Sequence, residues 1–407
     1  MEKDIKRKPR LAIISDTGMY LKGGIFIFEP VFREVQNFSH LFSEIYWLGY
    51  EIKKYIPSGN NKFDQKDDMF IINSYDKYPV FKRLKKYSRH EIPSQLNLFP
   101  VKFSGGKSIF SKSLVIFFSP YYFIKILMII MKSDVVFTRG PSIPALMSIL
   151  ISFFTPRKKY WHKYAGNWQL DTKTTSYRVQ KWLLKIISTS KVIVNNRNRT
   201  DSKHIYSLVN PCLSENEYNC NKKYGLLKKF DNKLTFCYVG RLTKNKGFEL
   251  LLDSIGKLKQ ANWIEKFHCV GDGPLKNEYL SLSESLCVPI CFHGLLDREE
   301  LNKIYQDSHF IILPSQSEGF PKVLAEAASF GTIPIITPIA SVTKNINKET
   351  NNGIVMYDFS SDSLLEVYLN IMDNRSELTS ISKNAIYFSK QFLYNKYNKR
   401  IKTILNI

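Results

Sequence analysis

Apolar residues in the second half of the chain follow a repeated strand-and-helix pattern. Thr235–Val239 is a short apolar run typical of a buried strand, and a glycine-containing loop follows it. The next apolar residues recur at the three-to-four spacing of a helix with one buried face: Phe248, Leu251, Leu252, Ile255 and Leu258. Later strands are predicted at Phe267–Val270, Ile290–His293, Phe310–Leu313 and Ile333–Ile336. Strand–helix repeats joined by short links predict an open parallel sheet.

The first half shows the same pattern less regularly. It begins with a predicted strand at Leu11–Ile14, a loop through Lys22-Gly23-Gly24, a helix from Ile25 to about Ser39 and a strand at Glu44–Leu48. The polar and basic stretch 51–110 predicts no clear element. Order resumes with alternating strands and helices at Asp134–Phe137, Ser142–Phe154, Lys158–His162, Ser176–Ser188 and Val192–Val194. We therefore expect an α/β fold in both halves.

The length of 407 residues favours two domains, because one hydrophobic core rarely supports so long a chain. Between Asn210 and Asn232 the composition shifts toward Asn and Lys and includes Pro211 and Gly225, which predicts a linker rather than a core element. The predicted division is a first domain at 1–210, a linker at 211–232 and a second domain at 233–385. A helix is predicted at 386–407, and the first domain is one surface on which it could pack.

The formal net charge of +23 predicts an anionic partner: nucleic acid, anionic lipid or a phosphate-rich substrate. The charge alone does not choose among them. The cysteines form no paired C-x-x-C knuckles, so a zinc site is not indicated. The apolar run after the charged N-terminus is too short for a signal-peptide core, and we expect the chain to be cytosolic.

Two long apolar stretches bear on membrane contact. Ile143–Phe154 is too short to cross a bilayer and is interpreted as a buried helix. Leu114–Met131 is strongly apolar but contains Pro120 and Lys125. It is either a core helix or an amphipathic helix lying in the membrane plane, and the sequence leaves both interpretations open.

A basic loop follows the first strand of the second half. In the segment 240–247, Gly240 allows close backbone approach, and the cations Arg241 and Lys246 flank a helix start. Backbone N–H groups, a positive helix end and two cationic side chains suit a diphosphate. The alternative is a solvated lysine-rich turn, which is common in so basic a chain.

Two glutamates mark the last strand–helix unit. Glu318 lies in the loop before a helix expected to begin near Pro321, and Glu326 lies about two turns into that helix. A carboxylate accepts hydrogen bonds from sugar or ribose hydroxyls, and Gly319 permits a ligand close to the backbone. The alternative is that Glu318 caps its own helix and Glu326 is a surface residue.

Taken together, these motifs resemble glycosyltransferase family 4, the group 1 retaining transferases of GT-B fold. The family's two glutamates separated by seven residues match Glu318 and Glu326. The other matching motifs, in order, are Gly240-Arg241-Leu242, Lys246-Gly247, Gly271-Asp272-Gly273-Pro274, His293-Gly294 and Glu318-Gly319-Phe320-Pro321. The resemblance covers the second half in order and spacing and is weaker in the first half. It implies two Rossmann-like domains with parallel sheets facing a central cleft.

The resemblance also implies roles for individual residues. Arg241 and Lys246 would hold the donor phosphates, Glu318 would lie by the transferred sugar, and Glu326 would bind the ribose. The first domain would take the acceptor, and the second would bind a nucleotide diphosphate sugar through Gly240, Gly271, Gly273, Gly319, Phe320, Pro321 and Glu326. On the first domain, Gly23 and Gly24 would line the cleft near the phosphates or the acceptor. Arg139 ends a predicted strand of that domain, where it either faces the acceptor in the cleft or belongs to a structural turn.

No metal and no cofactor are expected, because two fixed cations can stabilise the departing diphosphate and no Asp-x-Asp pair stands in a suitable loop. The partners implied are a nucleotide-sugar donor, a glycan or lipid-linked acceptor, and an anionic membrane contacted from the cytoplasmic side in polysaccharide or glycolipid synthesis. Departures from the family pattern are His162, which we interpret as a packed histidine, and Ile339-Ala340-Ser341 where glycines are usual. Gly106-Lys107-Ser108 lacks the first glycine of a phosphate-binding loop.

Two other functions stay open at this stage. A related GT-B enzyme such as a nucleotide-sugar epimerase would share the donor motifs. A nucleic-acid-binding module would share the charge, although no recognised motif of that class is present and the basic residues are scattered.

Overall fold

A computed structural model defines the fold of two compact units, each described by itself. Unit 1 comprises residues 1–208 and 398–407, and unit 2 comprises residues 209–397. The structure describes residues 7–21, 24–51, 68–69, 84–102, 109–169, 174–196, 198, 200–258, 262–286, 288–347 and 349–407. Lys22, Gly23 and the segment 106–108 lie outside the described residues.

Unit 1 is a sheet with helices on both faces. Its strands are β1 (Leu11–Tyr20), β2 (Ile25–Ile27), β3 (Ile45–Glu51), β4 (Asp68–Met69), β5 (Leu84–Tyr87), β6 (Leu96–Lys102), β7 (Val135–Gly140), β8 (Lys159–Tyr164), β9 (Lys191–Val194) and β10 (Ile205–Ser207). Its helices are α1 (Glu29–Ser39), α2 (Ile109–Met131), α3 (Ile143–Phe154) and α4 (Thr175–Ile186). The parallel part has the order β6-β3-β1-β7-β8-β9-β10, and β2, β5 and β4 extend from the end of β1 as antiparallel strands.

Alternate residues of the central strands point to opposite faces, which explains their nearly continuous apolar sequences. On one face, the ring of Phe38 in α1 packs edge-on against Phe137 and Trp161, at centroid distances of 5.8 and 5.6 Å. On the other face, Ala12 and Val136 belong to the core formed with α2 and α3. The parallel α/β fold expected for this half is confirmed.

The glycine loop near the start of the chain differs from the prediction. Residues 25–27 form the strand β2, paired with β1 through Met19 opposite Ile27, and the helix begins only at Glu29. The predicted helix start at Ile25 is therefore wrong. Two β-branched residues at alternate positions, Ile25 and Ile27, favour a strand, and Pro30 fits the first turn of a helix that begins after them.

Unit 2 is a second doubly wound sheet in which every strand pair is parallel. Its strand order is β13-β12-β11-β14-β15-β16. The strands are β11 (Leu234–Val239), β12 (Ile264–Val270), β13 (Ile290–Gly294), β14 (Phe310–Leu313), β15 (Ile333–Ile336) and β16 (Ile354–Val355). The helices are α5 (Glu215–Leu226), α6 (Phe248–Gly256), α7 (Lys276–Glu284), α8 (Arg298–Asp307), α9 (Lys322–Ser329), α10 (Ala340–Thr343), α11 (Ser361–Asp373), α12 (Arg375–Ser389) and α13 (Tyr394–Leu405), the last of which continues into unit 1.

The stretch predicted as a linker contains α5, so the expectation that it holds no core element is wrong. Ser214 and Glu217 form a capping box at the start of this helix, and Tyr218 is buried. Gly225 lies so close to the backbone of Phe330 that an added Cβ would be 2.7 Å from its carbonyl carbon. The helix is therefore packed into unit 2, although its sequence is polar.

The end of the chain returns to the first unit. Residues 398–407 are part of unit 1, where Asn398 donates a hydrogen bond of 3.0 Å to the carbonyl of Asn37 and Lys159 donates one of 3.0 Å to the carbonyl of Asn406. None of the helices in the described part of the chain combines the length and apolarity needed to cross a bilayer.

Candidate functional site

The loops that leave β11 and β12 are joined at the carboxyl edge of the second sheet. Gly240 N donates a hydrogen bond of 3.0 Å to the carbonyl of Val270, and Leu242 N donates one of 3.0 Å to the carbonyl of Asp272. Gly271 has φ +139°, and an added Cβ would lie 1.8 Å from the carbonyl oxygen of Gly240. Only glycine fits this junction without displacing the backbone.

The loop after β14 joins the same edge. Gly247 has φ +70°, and an added Cβ would lie 1.8 Å from the carbonyl oxygen of Pro314. Gln316 N donates a hydrogen bond of 3.0 Å to the carbonyl of Asn245. Three loops with predicted site residues therefore meet at the edge where ligands of open α/β sheets bind.

Lys246 and Glu318 form an ion pair between two of these loops. Lys246 Nζ donates a hydrogen bond to Oε1 of Glu318, and both side chains are largely buried. Ser341 Oγ donates a hydrogen bond of 2.6 Å to the carbonyl oxygen of Glu318. The N-cap residue of the following helix, α9, is Pro321 rather than Glu318.

Arg241 is a half-buried cation in the same loop as Lys246. Its Nε is buried and has no hydrogen-bond partner among the described residues. Burial lowers the pKa of its guanidinium. Its own carbonyl accepts a hydrogen bond of 3.0 Å from the hydroxyl of Tyr238, which fixes the backbone. A desolvated guanidinium donor that is left unpaired is energetically costly, and an anionic ligand would satisfy it.

Glu326 is buried on α9 and pairs with Arg298, the first residue of α8. Nη1 of Arg298 lies 2.7 Å from Oε1 of Glu326, and Glu217 of α5 lies 3.7 Å from Nη2 of the same guanidinium. Burial favours a lower pKa for Arg298, but Glu326 and then Glu217 raise it above the ordinary value. Glu326 is therefore not a surface residue. It also lies only about one turn into its helix rather than two, because α9 begins at Lys322.

Two of the remaining residues predicted to bind the donor, Gly273 and Phe320, have structural contacts of their own. Gly273 is a close-packing position, because an added Cβ would lie 2.1 Å from the carbonyl of Leu242, and its N–H donates 2.6 Å to the carboxylate of Asp272. Phe320 is buried, and its ring stacks on Phe392 at 4.6 Å. The side chain of Phe320 is therefore part of the core, and the main chain near Gly319 is what remains for a ligand.

The residues predicted on the first domain lie in unit 1. Gly23 falls outside the described residues, whereas Gly24 has φ +148° and precedes β2. Arg139 lies near the end of β7, and its Nε is buried without a hydrogen-bond partner in the described part of the chain. Burial raises the pKa of Asp16 on β1, and Arg139 acts in the opposite direction on it. Asp16 and Arg139 thus interact electrostatically on neighbouring strands of the first sheet.

Sequence reasoning missed Arg298 and Asp16 as members of these clusters. Asp297 and Glu300 form a capping box at the start of α8, a signal that locates the helix and hence Arg298 at its first position. Nothing in the sequence indicated that Arg298 faces Glu326. His162 is packed in the core as interpreted: it is 1% exposed, and burial lowers its pKa to about 3.

The described residues contain no cluster of three or more His, Cys, Asp or Glu side chains that could hold a metal ion. A histidine pair lies on two neighbouring strands of unit 2. Nδ1 of His268 lies 2.8 Å from Nε2 of His293, on the neighbouring strands β12 and β13. Burial lowers the pKa of His268 to about 4, and it also lowers the pKa of His293.

Comparison with known proteins shows a similarity that is confined to part of the chain at the level of sequence. Residues 225–387 match the family described as glycosyl transferases group 1. The match covers less than half of the chain and includes Arg241, Lys246, Arg298, Glu318 and Glu326.

Two curated relatives are similar over a comparable part. One is an uncharacterized glycosyltransferase of Methanocaldococcus jannaschii, 26% identical over 201 residues, which are 48% of this chain and 50% of the relative. The other is an α-1,4-N-acetyl-D-galactosaminyltransferase of Campylobacter jejuni that acts on an undecaprenol-diphosphate-linked glycan, 27% identical over 185 residues, which are 44% of this chain and 49% of the relative. The chain spans about half the length of the curated relatives it matches.

Solved structures are similar over nearly the whole chain. HepE of Anabaena in complex with UDP-glucose has a TM-score of 0.65 at 14% identity and covers 98% of this chain and 99% of its own. The sucrose-phosphate synthase of Thermosynechococcus elongatus has a TM-score of 0.63 at 15% identity and covers 98% of both chains. At such identities the likeness shows the fold, which is GT-B.

Proposed function

We propose that the chain is a retaining glycosyltransferase of family 4 that moves a sugar from a nucleotide diphosphate donor to a glycan or lipid-linked acceptor. The observation that carries the proposal is the half-buried guanidinium of Arg241, whose Nε has no hydrogen-bond partner among the described residues, in the same loop as Lys246 of the Lys246–Glu318 pair. The match of residues 225–387 to the group 1 glycosyl transferases supports it.

The chemistry assigns a part to each side chain. In the reaction the bond between C1 of the sugar and the diphosphate oxygen breaks, and its electron pair leaves on the nucleotide diphosphate. The acceptor oxygen forms the new bond to C1 and passes its proton to the departing diphosphate oxygen. Arg241 and Lys246 stabilise the charge that develops on the diphosphate, which lowers the barrier more than it strengthens ground-state binding. Glu318 keeps Lys246 in place and lies by the sugar, where an oxocarbenium-like state forms.

Glu326 is assigned to the ribose hydroxyls. Arg298 pairs with Oε1 of Glu326, and a carboxylate has a second oxygen with which to accept hydrogen bonds. The glycine junction at Gly240 and Gly271 brings main-chain groups close to the donor. We further propose that transfer needs no metal ion, because two cationic side chains at the diphosphate take over its charge-stabilising role.

The acceptor and the place of action complete the proposal. The similar Campylobacter enzyme acts on a lipid-diphosphate-linked glycan, and we assign this chain an acceptor of that chemical class. The net charge of +23 suits both a diphosphate acceptor and an anionic membrane surface. The enzyme would therefore act in the cytoplasm, at the inner face of the membrane, in polysaccharide or glycolipid synthesis.

Transfer assays with Glu318→Ala and Lys246→Ala test the catalytic assignment. Each variant should lose about 100-fold or more in turnover, the typical effect of removing one group that stabilises transition-state charge. Lys244→Ala is the matched control, since Lys244 is an exposed lysine in the same loop, and it should keep full activity. Unchanged circular dichroism shows that the fold persists.

Full activity in both purified variants would refute the assignment. Proton NMR of the product should show the anomeric configuration of the donor, and activity should persist in a metal chelator. Conversion of the donor into its epimer without any acceptor would identify an epimerase instead.

A further inference from the structure

A stripe of large apolar side chains on α2 faces solvent. The side chains are Phe117, Tyr121, Ile124, Met128 and Met131, whose spacing of four, three, four and three residues places them on one helix face. Phe117 is 76% exposed and Ile124 57% exposed. The opposite face of α2 is already buried on the sheet, so the helix is apolar on both sides.

The stripe continues over two neighbouring helices. α3 packs between α2 and α4, and at the end of α3 Phe154 is 82% exposed. On α4 the side chains of Val179, Trp182 and Ile186 are exposed at helical spacing. Monomeric soluble proteins rarely leave so many large apolar side chains together on adjoining elements without a partner. We call the exposed side chains of α2, α3 and α4 the apolar face.

The described side chains that carry charge and are exposed on α2, α3 and α4 are all basic. The sequences of α2, α3 and α4 contain no Asp and no Glu over 23, 12 and 12 residues. Among the described side chains the exposed charged ones are Lys125, Arg178 and Lys185. Lys132 and Arg157 follow the ends of α2 and α3, and the nearby Asp134 is paired with Arg10. The surface is thus complementary to an anionic, partly apolar partner.

We propose that the apolar face docks on the surface of a membrane that contains anionic phospholipid. Exposed aromatic and aliphatic side chains enter the headgroup boundary, and the lysines and arginines at their edge contact lipid phosphates. The face lies on the surface and does not span, in line with the finding that no described helix can cross a bilayer. A protein partner would have to supply all the carboxylates itself, whereas an anionic bilayer supplies both the apolar layer and the negative charge.

This inference deepens the proposed function, because it names the surface through which the transferase would reach a lipid-linked acceptor. It depends on the proposed function only in that respect. Binding to lipid can be measured without donor, acceptor or turnover.

Vesicle sedimentation with the full chain tests the proposal. The probes are vesicles of phosphatidylcholine alone and of phosphatidylcholine mixed with phosphatidylglycerol. We expect binding to the mixed vesicles, weakening with salt, and little binding to the neutral ones. The double variant Ile124→Glu, Phe154→Glu should bind the mixed vesicles at least about tenfold more weakly than the wild type, because it places carboxylates in the apolar face.

A matched control and a spectroscopic readout separate docking from misfolding. Leu227→Glu changes a side chain that is 77% exposed in unit 2, and it should bind vesicles like the wild type. Trp182 is the exposed tryptophan of the chain, since Trp47, Trp161, Trp168 and Trp263 are buried. Its fluorescence should shift to shorter wavelength on mixed vesicles, and Trp182→Phe should abolish the shift.

Three results would overturn the proposal: no binding of the wild type to mixed vesicles, equal binding by the doubly substituted variant, or a fluorescence shift that persists in Trp182→Phe. A dimer in solution that the Ile124→Glu and Phe154→Glu substitutions dissociate, without vesicle binding, would assign the face to a second copy of the chain. If the vesicle result is negative while donor turnover is intact, only the docking inference fails. Vesicle binding without any nucleotide-sugar affinity would instead contradict the proposed function.

Discussion

Nη1 of Arg298 lies 2.7 Å from Oε1 of Glu326, and both side chains are largely buried between α8 and α9. Glu217 is a weaker third member at 3.7 Å from Nη2. This contact explains how a carboxylate can remain inside unit 2 without a ligand. The guanidinium neutralises it and holds one of its oxygens in a fixed direction, so the other oxygen is presented in a defined orientation.

Replacing Arg298 should therefore destabilise the fold through the charge that it leaves behind. Arg298→Ala leaves Glu326 as a largely buried carboxylate without its partner, and we expect the free energy of unfolding to fall by about 3 kcal/mol. Adding Glu326→Gln removes the stranded charge and should restore part of that loss. Urea unfolding of Arg298→Ala, Glu326→Gln and the double variant measures the coupling between the two side chains. Strictly additive losses of stability would contradict this coupling.

The glycine junction permits a matched pair of substitutions. Gly294→Ala keeps a left-handed φ of +69° but has open space, with its nearest atom at 3.9 Å, so it should cost about 1 kcal/mol from backbone strain alone. Gly271→Ala also drives a Cβ to 1.8 Å from the carbonyl of Gly240, and should cost about 1–3 kcal/mol more. It should also weaken nucleotide binding, because it separates two loops of the site. Thermal unfolding and nucleotide titration check both effects. Equal losses of stability in Gly271→Ala and Gly294→Ala would show that the backbone at Gly271 has room for a Cβ.

The strands of the second sheet were the most predictable part of the structure. Phe310–Leu313 and Ile333–Ile336 match the observed strands residue for residue, because short apolar runs buried on both faces are flanked by clear turn signals. α5 was missed because its sequence is polar and buries only Tyr218, Asn221 and Gly225. Its capping box, Ser214 with Glu217, was the available signal.

The candidate site could be predicted only in part. The spacing within one loop or one strand–helix unit gave Arg241, Lys246, Glu318 and Glu326 as candidates. The pairing of Lys246 with Glu318 and of Arg298 with Glu326 joins residues that are 72 and 28 positions apart. Such contacts depend on strand order and on the direction of each side chain, which local patterns do not encode. Their functional roles stay predictions.

A buried histidine should make stability depend on pH. His162 is packed against Tyr160 with both ring nitrogens lacking partners among the described residues, and burial lowers its pKa to about 3. The unfolded chain takes up this proton near pH 6.5 while the folded chain resists it, so stability falls as the pH drops from about 6.5 toward 3. The contribution is about 1.4 kcal/mol per pH unit within that window.

His162→Phe removes this contribution and keeps a ring in the core. Between pH 6 and pH 4 the free energy of unfolding of the variant should fall less steeply than that of the wild type, by about 1.4 kcal/mol per pH unit. Urea unfolding across this range measures both slopes. Parallel slopes would mean that His162 is protonated in the folded chain.

The central claim is that the edge of the second sheet around Arg241 binds a nucleotide diphosphate sugar. A thermal-shift titration of the wild type and Arg241→Ala against UDP-, GDP- and ADP-sugars tests it most directly, because a ligand bound to the folded state raises the melting temperature with concentration. We expect such a rise with at least one donor. We also expect an affinity about 30-fold lower in Arg241→Ala, because the variant loses one charged hydrogen-bonding group worth about 2 kcal/mol. Without ligand the variant should be at least as stable as the wild type, because the buried Nε has no partner to lose within the described part of the chain. No shift with any donor, or the same affinity in both proteins, would contradict the account.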